Sequence, residues 1–189
     1  MNQDRVLIAC IGNIFHGDDA FGCEVARRLA ERPPTPGVCV VDFGIRAYDL
    51  AFAMLEAWEL VILVDATQRG GSPGTLFVIE PDLAAIEEEQ SAVAVEAHTM
   101  QPVQVLRLVK AFGGVFPKLL LVGCEPADLG DAEEGKMGLT DLVAAAVNQV
   151  PALLDSLVGR HLANDLRAAG AEGLQDEPLI ELCAERTSK

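Results

Sequence analysis

Histidine is scarce in this 189-residue chain, with three residues, and tryptophan and tyrosine occur once each. There is no HExxH and no CxxC segment, so zincin chemistry and a zinc knuckle both lack their usual signatures. The five cysteines, Cys10, Cys23, Cys39, Cys124 and Cys183, are odd in number and widely spaced. They predict reduced, mostly buried thiols rather than a disulfide frame. Bases are also few: 14 Lys and Arg stand against 29 Asp and Glu, a net charge of −15, with a pI near 4.4. The clustered positive charge that phosphate neutralisation requires is missing, which argues against a nucleic-acid partner. Despite a mean hydropathy of +0.27, no uninterrupted apolar run approaches the roughly 18 residues that span a bilayer. The first short apolar stretch, Val6 to Ile11, runs straight into a Gly-Asn turn, unlike a signal peptide. The chain therefore reads as a cytoplasmic protein with no membrane partner, acting as a monomer.

Half of the residues are hydrophobic and 23 % are charged, enough apolar side chain for one folded domain. Its expected extent is residues 1–159, followed by a tail, 160–189, in which Gly170, Gly173 and mixed charges leave room for one short helix. Short β-rich runs alternate with helical patterns. The order is Val6 to Ile11, Ala20 to Arg32, Val38 to Asp42, Tyr48 to Leu55 and Leu60 to Asp65. Such alternation implies βαβ crossovers and a mainly parallel, three-layer α/β sheet. A fourth strand, Thr75 to Glu80, follows a loop too short for a crossover helix and is predicted antiparallel. A helix from Gln101 to Phe112 leads to an apolar strand from Lys118 to Gly123, predicted to be central and covered on both faces. The last helix, Thr140 to Val158, has Thr140 or Asp141 as its cap and a kink or break at Pro151.

In an open α/β sheet, ligands bind beyond the carboxyl ends of the strands. The first strand ends in Gly12-Asn13-Ile14-Phe15-His16-Gly17-Asp18-Asp19-Ala20-Phe21-Gly22, and the third ends in Asp65. If those strands are neighbours, Asp19 and Asp65 meet at one edge. The GxxxxGxxxxG glycine spacing is neither a dinucleotide fingerprint nor a P-loop, and adjacent carboxylates would repel a pyrophosphate. Two carboxylates and an imidazole such as His98 suit a borderline divalent ion, with positions open for substrate or water. Each residue also has a structural reading: Asp18 as a helix cap, Asp19 favouring the helix dipole, Asp65 in a turn and His98 in a loop.

Over roughly residues 5 to 159 the chain resembles the hydrogenase maturation proteases, endopeptidases that process the large subunit of [NiFe] hydrogenases. The resemblance rests on the order and spacing of several motifs. They are Gly12-Asn13 with Asp18-Asp19-x-x-Gly22, Asp42-x-Gly44, Val64-Asp65-Ala66, His98 before a helix, Gly123-Cys124-Glu125-Pro126, and Gly138-Leu139-Thr140 opening a helix that contains Pro151. It implies a three-layer α/β/α sandwich of phosphorylase/hydrolase-like type, with a five-stranded mixed sheet of order 2-1-3-5-4 and strand 4 antiparallel. It also implies that Asp19, Asp65 and His98 form a catalytic and metal site, with Asn13, Asp42, Gly44 and Arg46 toward substrate. The implied activity is removal of a C-terminal peptide from a hydrogenase large-subunit precursor, by aspartic-type or metal-dependent proteolysis. The metal would be nickel presented by that substrate, with another divalent ion taking the site in isolation.

The chain departs from the family pattern at Asp42-Phe43-Gly44-Ile45-Arg46, where Gly-Thr commonly follows the Asp. It also has Asp19 where Glu is common, and His16 where an apolar residue is usual, as a surface residue or an additional metal contact. The altered loop leaves open a non-catalytic reading, a precursor-binding chaperone or metal-binding module of the same fold. Two acidic spans, residues 80–98 and 125–134, carry 11 of the acids and no Lys or Arg. They are solvated loops or charged borders of the cleft that favour a cation or a basic partner surface.

Overall fold

A computed structural model describes residues 5–81, 83, 102–130 and 135–168. His98, Cys183, residues 131–134 and almost all of the acidic span 80–98 lie outside the described residues. The chain order is β1 (Val6–Ile11), a 3₁₀ turn (Gly17–Ala20), α1 (Phe21–Ala30), β2 (Val38–Gly44), α2 (Ala47–Ala53), β3 (Leu60–Ala66), β4 (Leu76–Ile79), α3 (Pro102–Ala111), β5 (Lys118–Cys124), α4 (Asp141–Val147) and α5 (Val150–Ala168).

The strands form one sheet of order β2-β1-β3-β5-β4. β1 pairs in parallel with β2 and β3, β3 in parallel with β5, and β4 runs antiparallel to β5. This is the expected mixed sheet. β3 takes the middle position, and β5 is an interior strand one place from the edge, because the short antiparallel β4 caps it.

Strand periodicity explains the layers. On one face Val6, Ile8, Cys10, Leu60, Ile62, Val64, Val122 and Cys124 pack under Phe21 and Val25 of α1 and the apolar sides of α4 and α5. The alternate residues, Leu7, Ala9, Ile11, Val61, Leu63, Leu119 and Leu121, pack under Leu50 of α2, the adjoining Met54, and Val105, Leu106 and Val109 of α3. With both faces covered, all six residues of β1 are buried, hence the near-continuous apolar run that made the strand legible.

The C-terminal helical stretch breaks into α4 and α5, with Pro151 in the first turn of α5, where a missing N–H costs nothing. α5 continues through Gly159 to Ala168. By length and composition Asp141–Ala163 would suit a membrane span; here its Val143, Val147, Leu154, Leu157 and Val158 belong to the core. Cys10, Cys23, Cys39 and Cys124 are not in disulfides, and all but the half-buried Cys39 are buried. Burial, followed by the charge of Asp42, pushes the Cys23 thiol up to about 12, so it stays protonated.

Candidate functional site

Four carboxyl groups gather where β1, β3 and β5 end, and their surroundings divide them into two pairs. Asp18 is fully buried and fully satisfied. Its Oδ2 accepts the N–H groups of Ala127 at 2.8 Å and Asp128 at 2.9 Å and the Thr140 hydroxyl at 3.0 Å, while Oδ1 accepts the Thr140 N–H at 2.7 Å. Asp18 therefore does not cap its own helix. It fastens the segment after β5, and the start of α4, to the loop after β1. Thr140 occupies the N-cap position of α4, but its side chain makes no capping bond to that helix because the hydroxyl is given to Asp18.

Glu125, 5 % exposed, does the same for the loop after β3. Its carboxylate accepts the N–H groups of Arg69 at 2.8 Å and Gly70 at 3.1 Å, and that of Gly71 as well. Burial opposes its charge, yet these three donors and the Arg69 guanidinium outweigh burial and hold the carboxyl below the ordinary range. Asp128 is likewise drawn down, first by its bond to Lys136 Nζ at 2.5 Å and then by the Gly130 N–H at 2.7 Å. The described acids of the 125–134 span are thus largely occupied within the fold rather than forming a charged border of the cleft.

Asp19 and Asp65 are different. Asp65, at the end of β3, is 4 % exposed; burial, then the charge of Asp19, raises its carboxyl well above the ordinary value, and only the Ala66 N–H opposes this. Burial also raises Asp19, against the Asn13 N–H at 3.1 Å and the nearby His16. The expected meeting of the two residues follows from the parallel pairing of β1 with β3. It also depends on Gly22, where a Cβ would stand 2.0 Å from the Ile11 carbonyl oxygen and 2.5 Å from that of Val64. Without a side chain there, α1 seats directly on both strand ends and draws the Asp19 turn over Asp65.

The remaining sequence-selected residues that the structure describes are held by local bonds. Asn13 accepts the Phe15 N–H at 3.0 Å through its side chain. Asp42 Oδ1 accepts the Gly44 N–H at 2.9 Å, and Gly44 in turn accepts the Gly12 N–H at 3.1 Å, joining the two loops. The pairing slips so that Ile11 faces Gly44, and the bulged Phe43 turns into the core at 4 % exposure. The Arg46 guanidinium folds back onto the carbonyls of Phe43 and Asp42 and reaches Asp49 at 3.4 Å. His16 is half-buried and forms a parallel bridge with Lys136.

Among the described residues no three His, Cys, Asp or Glu side chains cluster as a metal site. Asp19 and Asp65 alone fit a divalent cation as two oxygen ligands: a positive charge between them would offset the burial that raises both, and the charge of Asp19 that adds to it at Asp65. A third donor has to come from His98 or from the substrate. Sequence reasoning missed the tethering roles of Asp18 and Glu125, although both stand in the motifs it singled out.

Asp19 and Asp65 are thus a pair of under-solvated carboxyl groups at the carboxyl edge of a three-layer α/β sheet. A family model described as hydrogenase maturation protease matches residues 23–155, and the chain belongs to that family. It is 32 % identical to the hydrogenase expression/formation protein HoxM of Azotobacter vinelandii, over 95 % of this chain and 84 % of that protein. It is 29 % identical to the hydrogenase 2 maturation protease of Escherichia coli, over 93 % of this chain and 98 % of that protein. Among solved structures it resembles the hydrogenase maturating endopeptidase HybD of E. coli, with a TM-score of 0.61 and 28 % identity over 80 % of this chain and 93 % of that one. The chain is accordingly a peptidase of the hydrolase class that acts in hydrogenase maturation.

Proposed function

We propose that the protein removes the C-terminal peptide of a [NiFe]-hydrogenase large-subunit precursor once nickel has been inserted, working in the cytoplasm as a monomer. The observation that carries this reading is the Asp19–Asp65 pair, two neighbouring carboxyl groups both held above their ordinary range. Burial and like charge favour one proton held between the pair. The ionised partner accepts a proton from water as it attacks the scissile carbonyl; the protonated partner supplies one to the departing amine. This is aspartic-type chemistry. Nickel is cargo: the precursor presents it on its own ligands, and Asp19, Asp65 and His98 complete its recognition from the protease side, so that an unloaded precursor is passed over. In isolation another divalent cation takes the same side chains. Asn13, Asp42, Gly44 and Arg46 line the substrate approach.

The test is to incubate purified protein with nickel-loaded and nickel-free precursor and to measure the mass of the subunit. A C-terminal loss that occurs only with nickel supports the scheme. Undiminished cleavage by Asp19→Ala or His98→Ala overturns it, and stable co-purification with a precursor of unchanged mass favours the chaperone reading instead.

A further inference from the structure

The sheet register sets Asp65 opposite Gly123, and Gly123 opposite Phe77. Directly paired residues point to one face, so these three form a row across β3, β5 and β4, about 10 Å long at the usual strand spacing. Gly123 leaves the middle of the row empty and the Phe77 ring fills it, for a Cβ there would stand 2.1 Å from a ring carbon. The ring therefore lies along the row toward Asp65. The Arg69 guanidinium stacks over it, 5.2 Å from the centroid.

Arg69 is exposed, but its backbone is tethered. Its N–H and those of Gly70 and Gly71 bind the buried Glu125 carboxylate. Gly74 N–H donates to the Glu125 carbonyl at 2.8 Å, and Glu125 N–H to the Thr75 carbonyl at 2.9 Å. Arg27, Arg32, Arg46 and Lys136 each meet a carboxylate. The Arg69 guanidinium has no carboxylate within ion-pair distance among the described residues, although its charge reaches Glu125, in a chain of net charge −15. The ring contact holds the guanidinium on one side, and its remaining N–H groups are left to donate. The chemistry at the site calls for such a donor, because ionised carboxylates only accept hydrogen bonds and a peptide's carbonyl oxygens need a partner.

We propose that Arg69, backed by Phe77, is a specificity-determining residue that binds a carbonyl or carboxylate oxygen of the precursor segment lying beside Asp65. The assignment rests on the processing role proposed above. It is tested by the kinetics of precursor cleavage for the wild type and for Arg69→Ala, Arg69→Gln and Arg69→Lys, with thermal denaturation of each. Arg69→Ala and Arg69→Gln are expected to raise KM roughly tenfold or more, the scale of a lost charged hydrogen bond, with kcat within about threefold and melting unchanged; Arg69→Lys recovers part of the loss. If the target is a carboxylate, the gap between wild type and Arg69→Gln narrows as salt rises; if it is a main-chain carbonyl, the gap is indifferent to salt. An Arg69→Ala protein with wild-type KM overturns the assignment while leaving the processing role standing. So does a KM change that appears only with lowered melting and is reproduced by Phe77→Leu. A wild-type protein that never cuts the precursor overturns both.

Discussion

Asp18 and Asp19 are adjacent in sequence and opposite in physical role, and the difference lies in how many donors each meets. Asp18 accepts four hydrogen bonds, and removing it takes the partner from three backbone N–H groups and the Thr140 hydroxyl. Asp18→Ala is expected to lose on the order of 3 kcal/mol of stability, measured by urea denaturation. Asp65 is expected to behave in reverse. A carboxyl raised from its model-peptide value of 3.8 contributes stability below that value and loses it as pH rises through the higher folded one. At neutral pH it therefore works against folding. Asp65→Asn should stabilise the fold by on the order of 1–2 kcal/mol, read as a higher melting temperature, while cutting precursor cleavage by roughly 100-fold or more. An Asp65→Asn protein less stable than the wild type at pH 7 would show that the carboxylate is structural.

At the level of elements, the carboxyl edge is assembled by two contacts that tolerate little change. The seat of α1 on β1 and β3 depends on Gly22, and the atoms a Cβ would strike are backbone rather than movable side chain. Gly22→Ala should cost about 3 kcal/mol or more by chemical denaturation. The loop between β3 and β4 depends on Glu125. Because its folded carboxyl lies below the ordinary 4.5, its contribution is present above that value and lost as pH falls through the lower folded one. The protection of the Arg69, Gly70 and Gly71 amides against exchange, relative to their intrinsic rates, should fall in acid for the wild type, and be low at every pH in Glu125→Gln.

For the whole molecule, the net charge of −15 acts at a distance as well as on solubility. Of the described acids near the site, Glu125 and Asp128 are engaged within the fold, so the long-range attraction for a basic partner is expected to come from residues such as Glu87, Glu88 and Glu89. Precursor association should slow as salt rises. Replacing those three glutamates by glutamine should weaken it at low salt, as read by surface-immobilised binding. Unchanged association at low salt would restrict the charge to solubility.

The sequence by itself determined the strands and their alternation with helices, because residues covered on both faces must be apolar and β1 and β3 are written that way. It also determined the antiparallel β4, since the loop before it has no room for a crossover, and the break at Pro151. The pairing of Asp19 with Asp65 was legible once β1 and β3 were taken as neighbours. What only the tertiary structure decided is which carboxylates are satisfied. The donors to Asp18 lie 109 to 122 positions away, and those to Glu125 that are resolved by distance lie 55 and 56 away. All but one of those groups are backbone N–H groups, which every residue except proline carries, so no side-chain pattern announces them. The same holds for the row from Asp65 to Phe77, which exists only through the register of three strands.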